Sequence, residues 1–125
     1  MVEARITDGR RIAELLASEL DGREDGTLES TQVTNADRDV EPTADGSRAY
    51  DVTHDGERIA RVFVHDDRAR LEFEAGQDIA AETAAELELR VRPKATEPPR
   101  TLVFVESGAA VKRATDVVQA VNRSV

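Results

Sequence analysis

The chain has no cysteine and no tryptophan, and among its 125 residues only three are Phe, one is Tyr and four are Pro. Without cysteine there is no disulfide framework, thiolate zinc site, redox couple or cysteine nucleophile. Uninterrupted apolar runs stop at about four or five residues, far below the roughly 20 needed to span a bilayer. Met1-Val2-Glu3-Ala4-Arg5 leads into an amphipathic segment without a hydrophobic signal core, so a soluble, cytoplasmic protein with no membrane association is expected. Leu, Ile, Val and Phe together supply 29 residues, roughly 23 %, just above the level of about 20 % below which chains stay disordered. The length suits one domain, residues 1–125, with a light core built from Val and Ala.

Lysine is the other scarcity. Fifteen Arg stand against Lys94 and Lys112 alone, with 12 Asp, a net charge of −9 and abundant Ala, Val and Thr. An acidic, lysine-poor surface holds water against molar salt, because carboxylates hydrate strongly and the missing lysine stems were apolar. In this composition the chain resembles small uncharacterised proteins of halophilic archaea. The resemblance implies a salty cytoplasm and transfers no catalytic residue.

The pattern of elements is readable. Asp8 is placed to cap a helix, Ile6 stands where a hydrophobic staple belongs, and Gly22 follows its end. Between them Ile12, Leu15, Leu16 and Leu20 form one apolar stripe. Residues 28–35 alternate weakly and read as a strand, and 37–46, rich in Asp, as a solvated loop. Asp55-Gly56 is a type I′ hairpin signal between runs 47–54 and 57–65, and Asp66-Asp67 turns the chain into a third strand, 69–74. After Gly76 an alanine-rich helix capped by Asp78 is expected, then a strand from Leu87 through Val91 that ends before Pro93. A strand at 101–106 and a helix capped by Ser107, with Ala110, Ala114, Val117, Val118 and Val121 on one face, complete the chain. The fold expected is α+β: a mainly antiparallel sheet of about five to six strands with the N- and C-terminal helices on one face.

A two-residue turn at Asp55-Gly56 pairs Val52 with Ile59, Tyr50 with Arg61 and Ala49 with Val62. An even turn at Asp66-Asp67 pairs Val62 with Leu71, Ala60 with Phe73 and Val64 with Ala69. One face then carries Ala49, Ala60, Val62, Val64, Leu71 and Phe73 as core. The other carries Tyr50, Val52, Ile59 and Phe63 among Arg48, Arg61, Arg70, Glu72 and Glu74. Tyr50, Val52, Ile59, Arg61 and Phe63 form the candidate interaction patch, since Tyr, Phe and Arg are enriched where proteins meet. Cover from elsewhere in the same chain is the competing expectation.

Chemistry is sparse. His54 and His65 bracket one strand, about 26 Å apart at 3.3 Å per residue, so they share neither a metal nor a proton. No cofactor, metal site or catalytic residue is expected. Glu106, between Val105 and Ser107, is the one acid in an apolar setting, and Ser107-Gly108 the one candidate anion cradle, a small-ligand or enzyme corner at most. Charge is more telling: residues 1–89 hold 10 basic and 23 acidic groups, residues 90–125 hold 7 and 3. Arg90, Arg92, Lys94 and Arg100 form a basic strip. At about 1 M salt the screening length is only about 3 Å and phosphate-backbone attraction fades, while bidentate guanidinium contacts persist. The only nearby aromatic, Phe104, is expected to be buried by its strand. The expected function is therefore a non-enzymatic protein-interaction or self-associating domain, homodimeric through the outer meander face or the basic C-terminal part, ahead of a nucleic-acid partner on the basic strip.

Overall fold

The structure is a computed structural model that describes residues 6–21 and 30–124. Helix α1 (Gly9–Leu20) starts as expected, with the Asp8 carboxylate accepting the Arg11 N–H at 3.2 Å. This satisfies one of the donors that a helix start leaves open. Ile12, Ala13, Leu16 and Leu20 are buried, while Leu15 packs at the margin. Gly22, the expected stop, lies outside the described residues, as do 28 and 29 of the expected first strand.

Among the described residues six strands follow, interleaved with two more helices: β1 (Thr31–Thr34), β2 (Ser47–His54), β3 (Glu57–Val64), β4 (Ala69–Phe73), α2 (Gln77–Glu86), β5 (Val91–Lys94), β6 (Arg100–Val105) and α3 (Val111–Ser124). They form one sheet in the order β1-β2-β3-β4-β6-β5, every neighbouring pair antiparallel. The architecture is α+β, as the sequence pattern predicts. The β3–β4 register is also the expected one: Val62 faces Leu71, Ala60 faces Phe73 and Val64 faces Ala69. These six, with Val103 and Val105 of β6, are fully buried. They share a single core with Ala80 and Ala84 of α2 and Val117, Val118 and Val121 of α3. Among the described residues no helix is long and apolar enough to cross a membrane.

The β2–β3 register differs from expectation. Asp55 and Gly56 both have positive φ, as a type I′ turn requires, but two irregularities interrupt the ladder beyond it. Ile59 enters as an extra residue, so Val52 faces Ala60 and Tyr50 faces Val62, and a second extra residue, Ala49, then brings Arg48 opposite Phe63. One added residue sends the following side chains to the opposite face. Tyr50 and Val52 therefore point toward the helices, and Tyr50, Val52 and Ile59 are all in the core. The Tyr50 hydroxyl donates to the Ala13 carbonyl of α1 at 2.7 Å, and burial pushes the phenol well above its ordinary range. The expected outer patch thus keeps only Arg61 and Phe63, both half-buried.

Four smaller expectations are corrected. Gly76, in the left-handed conformation, precedes α2, so Asp78 lies in its first turn rather than at its cap. Leu87 closes α2 and Glu88 takes φ +62°, while the Leu89 N–H donates back to the Ala84 carbonyl. The strand consequently begins only at Val91 and continues through Pro93, tolerated because β5 is a sheet edge. Segment 37–46 is not merely solvated: Val40 is buried, Asp37 N–H donates to Ala49 O, and Thr43 N–H to Val64 O. Ser107 precedes a 3₁₀ turn, Gly108–Ala110, without a side-chain cap bond.

The start of α1 is pressed against the β3–β4 turn. The Gly9 N–H donates to the Asp66 carbonyl at 3.1 Å, and a Cβ at Gly9 would fall on the carbonyl oxygens of His65 and Arg68. Gly9→Ala, stabilising by about 1 kcal/mol in a free helix, is expected here to destabilise by about 1–3 kcal/mol through backbone displacement. Urea unfolding of the two proteins measures the sign.

Candidate functional site

The face of the sheet opposite the helices is built by strand alternation and by the order β4-β6-β5. Arg70 faces Phe104, and the Phe104 N–H donates to the Arg90 carbonyl, so these three lie in one row. The next row is Glu72, Leu102 and Arg92, and beyond it Arg100 faces Lys94. Residues far apart in the chain are thereby gathered on one surface.

Glu72 is the anchor of that surface. Its side chain is fully buried, yet Arg70 Nη2 lies 2.8 Å from Oε2, Arg100 Nη1 3.0 Å from Oε1 and Lys94 Nζ 3.6 Å from Oε2. Burial pushes this carboxyl up. The hydrogen bond from Arg100 and the charges of Arg70 and Lys94 outweigh burial and hold it below the ordinary carboxylate value. Toward β2, Arg61 and Arg58 meet Glu74 at 2.8 and 3.3 Å, and Arg48 and Asn35 meet Asp51 at 3.4 and 2.9 Å.

Arg70 is fixed on every side. Its Nη1 donates to the Asp45 carbonyl at 3.1 Å and to His65 Nε2 at 2.9 Å, and its guanidinium lies 4.5 Å from the centre of the Phe63 ring. His65 Nδ1 is 2.9 Å from the Ala44 carbonyl. A carbonyl only accepts and a guanidinium only donates, so Nδ1 carries the proton and Nε2 accepts. Segment 44–46 comes this close because position 46 is glycine at φ +92°; a Cβ there would stand 2.9 Å from Arg70 Nη1.

Between this fixed wall and β5 opens a cleft of about 470 Å³. Arg68, Arg70, Arg90, Arg92 and His65 surround it, Leu102 and Phe104 form its floor, Asp45 lines its rim, and the Glu106 carboxylate stands beside Arg90 and Arg68. Arg68 lies 5.9 Å from the centre of the Phe104 ring and is paired with Asp67 at 3.0 Å, a hydrogen bond that lowers the Asp67 pKa.

The basic strip therefore divides. Arg100 and Lys94 are committed to Glu72. Arg90, with a side chain 62 % exposed, reaches Glu106 only at 3.9 Å. Arg92 is exposed and has no ion pair or side-chain hydrogen bond among the described residues. Glu106 itself is 46 % exposed, between Arg90 and, at 4.0 Å, Arg68. The cradle expected at Ser107-Gly108 is already engaged, since the Gly108 N–H donates to the Ile6 carbonyl at 2.9 Å. His54 lies 3.5 Å from Asp55, remote from His65, and no cluster of three or more His, Cys, Asp or Glu fit for a metal occurs among the described residues.

His65, Arg68, Arg70 and Phe104 belong to the cleft and are missed by reading the sequence as a site. The alternation of β4 already places Arg70 on the outer face. What it lacks is the β4–β6 pairing, made across an intervening helix and strand.

A family model described as a family of unknown function (DUF7993) matches residues 1–125, so the chain belongs to that family. No curated protein and no solved structure matches the chain.

Glu72 stabilises the fold in its ionised form. Its folded pKa lies below the ordinary 4.5, so its contribution is complete above that pH and is lost as pH falls through the folded value. Glu72→Gln leaves Arg70, Arg100 and Lys94 around a neutral group and is expected to cost about 3–5 kcal/mol at pH 7. The gap from wild type should narrow below pH 4.5, as read by denaturant unfolding across a pH series.

Proposed function

For this member of a family of unknown function, we propose a non-enzymatic binding module of a salty cytoplasm that holds an anionic partner in the cleft beside β5. The observation that carries this reading is Arg92, exposed and unpaired among the described residues, with Arg90 and Arg68 beside it and Arg70 preset behind them. In a chain of net charge −9, carboxylates are plentiful, yet among the described residues Arg92 has no ion pair and Arg90 meets Glu106 only at 3.9 Å. Its volume of about 470 Å³ lies within the range of roughly 300–1,000 Å³ typical of small-ligand sites. Direct guanidinium forks also act at contact range, where molar salt screens least.

Two other readings have less support. A protein or homodimer contact centred on an apolar patch has lost Tyr50, Val52 and Ile59 to the core. A single-stranded nucleic acid needs open aromatic faces for its bases. Here Phe63 and Phe104 each carry an arginine over the ring.

The test is a titration of labelled protein in molar KCl with citrate, sulfate and inorganic phosphate, followed by amide resonances. Saturable shifts are expected at 90–92 and 102–104, and Arg92→Glu should weaken them about tenfold or more, the scale of one lost charge-assisted contact. Unmoved amides, or equal shifts in both proteins, would overturn the proposal.

A further inference from the structure

We infer that the ligand of this cleft is a small molecule carrying one phosphate monoester, an inference that rests on the anion-binding reading and narrows it. The donor set sets the class. A carboxylate has two oxygens and is satisfied by a single guanidinium fork. A phosphate monoester carries about −1.5 to −2 charges and three terminal oxygens, and it calls for several donors from different directions. Arg90 and Arg92 supply such donors from the β5 side, and Arg68, whose Nε and Nη2 stay forked on Asp67, turns its Nη1 from the β3–β4 turn. The side chains of Arg90 and Arg92 make no hydrogen bond among the described residues, and Glu106 stands 3.9 Å from Arg90, beyond hydrogen-bond reach.

Spacing agrees. β4 and β5 flank β6, so the Arg70 and Arg90 backbones are two strand spacings apart, about 10 Å. Arginine side chains leaning inward from that distance leave room for a tetrahedral anion beside the Phe104 ring, whose face Arg68 covers. The far wall needs no reordering, because Glu72, the Asp45 carbonyl, His65 and Phe63 already hold Arg70 in place. A preset wall lowers the ordering cost of binding.

The rest of the cleft limits the remainder of the ligand. Leu102 offers a short apolar floor for a carbon body, and Arg68 over the Phe104 ring leaves no open face for a stacked base. Asp45 on the rim and Glu106, 3.9 Å from Arg90 and 4.0 Å from Arg68, add negative charge that disfavours a second phosphate. A compact sugar or polyol monophosphate meets all of these conditions.

The experiment compares glycerol 3-phosphate with citrate, and with glycerol as the uncharged control, by calorimetry and amide shifts in molar KCl. Glycerol 3-phosphate is expected to bind about tenfold or more tighter than citrate, with glycerol inert. Arg92→Glu and Arg90→Gln should each weaken it about tenfold, the scale of one charge-assisted contact. Both side chains are exposed, and an unchanged amide spectrum elsewhere certifies the fold. If citrate binds as tightly as the phosphate ester, or more so, at these same amides, the phosphate inference is overturned while the anion-binding reading stands. If no anion moves these amides, both are overturned.

Discussion

Glu72 is a carboxylate with no exposed surface in the middle of the sheet face opposite the described helices. A lone charge there would be prohibitive, since removing a carboxylate from water costs several kcal/mol even after relaxation. Three cations from three strands offset that cost: Arg70 from its own strand, Arg100 from β6 and Lys94 from the β5 edge. The requirement binds these strands to one register. A slip of one residue at β6 or β5 would turn Arg100 or Lys94 to the core side and leave Glu72 buried with fewer partners.

The cleft follows from that commitment. Once Arg70 is spent on Glu72, on His65 and on the Asp45 carbonyl, it becomes a fixed wall that also draws segment 44–46 over the sheet. Arg100 and Lys94 are likewise occupied. What is left over on the β5 side is Arg90 and Arg92, with Arg68 reaching across Phe104. The charge imbalance after residue 89 is therefore not a uniform basic strip. It separates into cations that hold the fold and cations that face solvent beside them.

Much of this is legible in the chain itself, element by element. Asp8 and the Ile12-Leu16-Leu20 spacing specify α1, Asp55-Gly56 specifies the hairpin, and the β3–β4 pairing follows from an even turn. These are local signals, each within one turn of helix or a few residues of strand. The bulges at Ala49 and Ile59 leave no comparable mark, because either apolar residue fits a regular strand equally well. Their effect is large: the bulge at Ile59 converts Tyr50 and Val52 from an expected outer patch into core, and the one at Ala49 ends that shift. Leu87 and Leu89 alternate like a strand, yet they close α2 instead, since the buried contact they satisfy lies against the helices rather than along β6.

The amino-acid sequence by itself determined the class of fold, the acidic and lysine-poor character, the hairpin and the faces of α1 and α3. Each of these depends on periodicity or composition, which a linear chain carries in full. Tertiary structure alone decided which arginines are occupied and which are free. That outcome depends on β6 inserting between β4 and β5, which places Phe104 beside Arg70 and Arg92 beside Leu102. Pairing between distant strands is set by the packing of the whole core and the satisfaction of one buried carboxylate, and no short stretch of sequence encodes either.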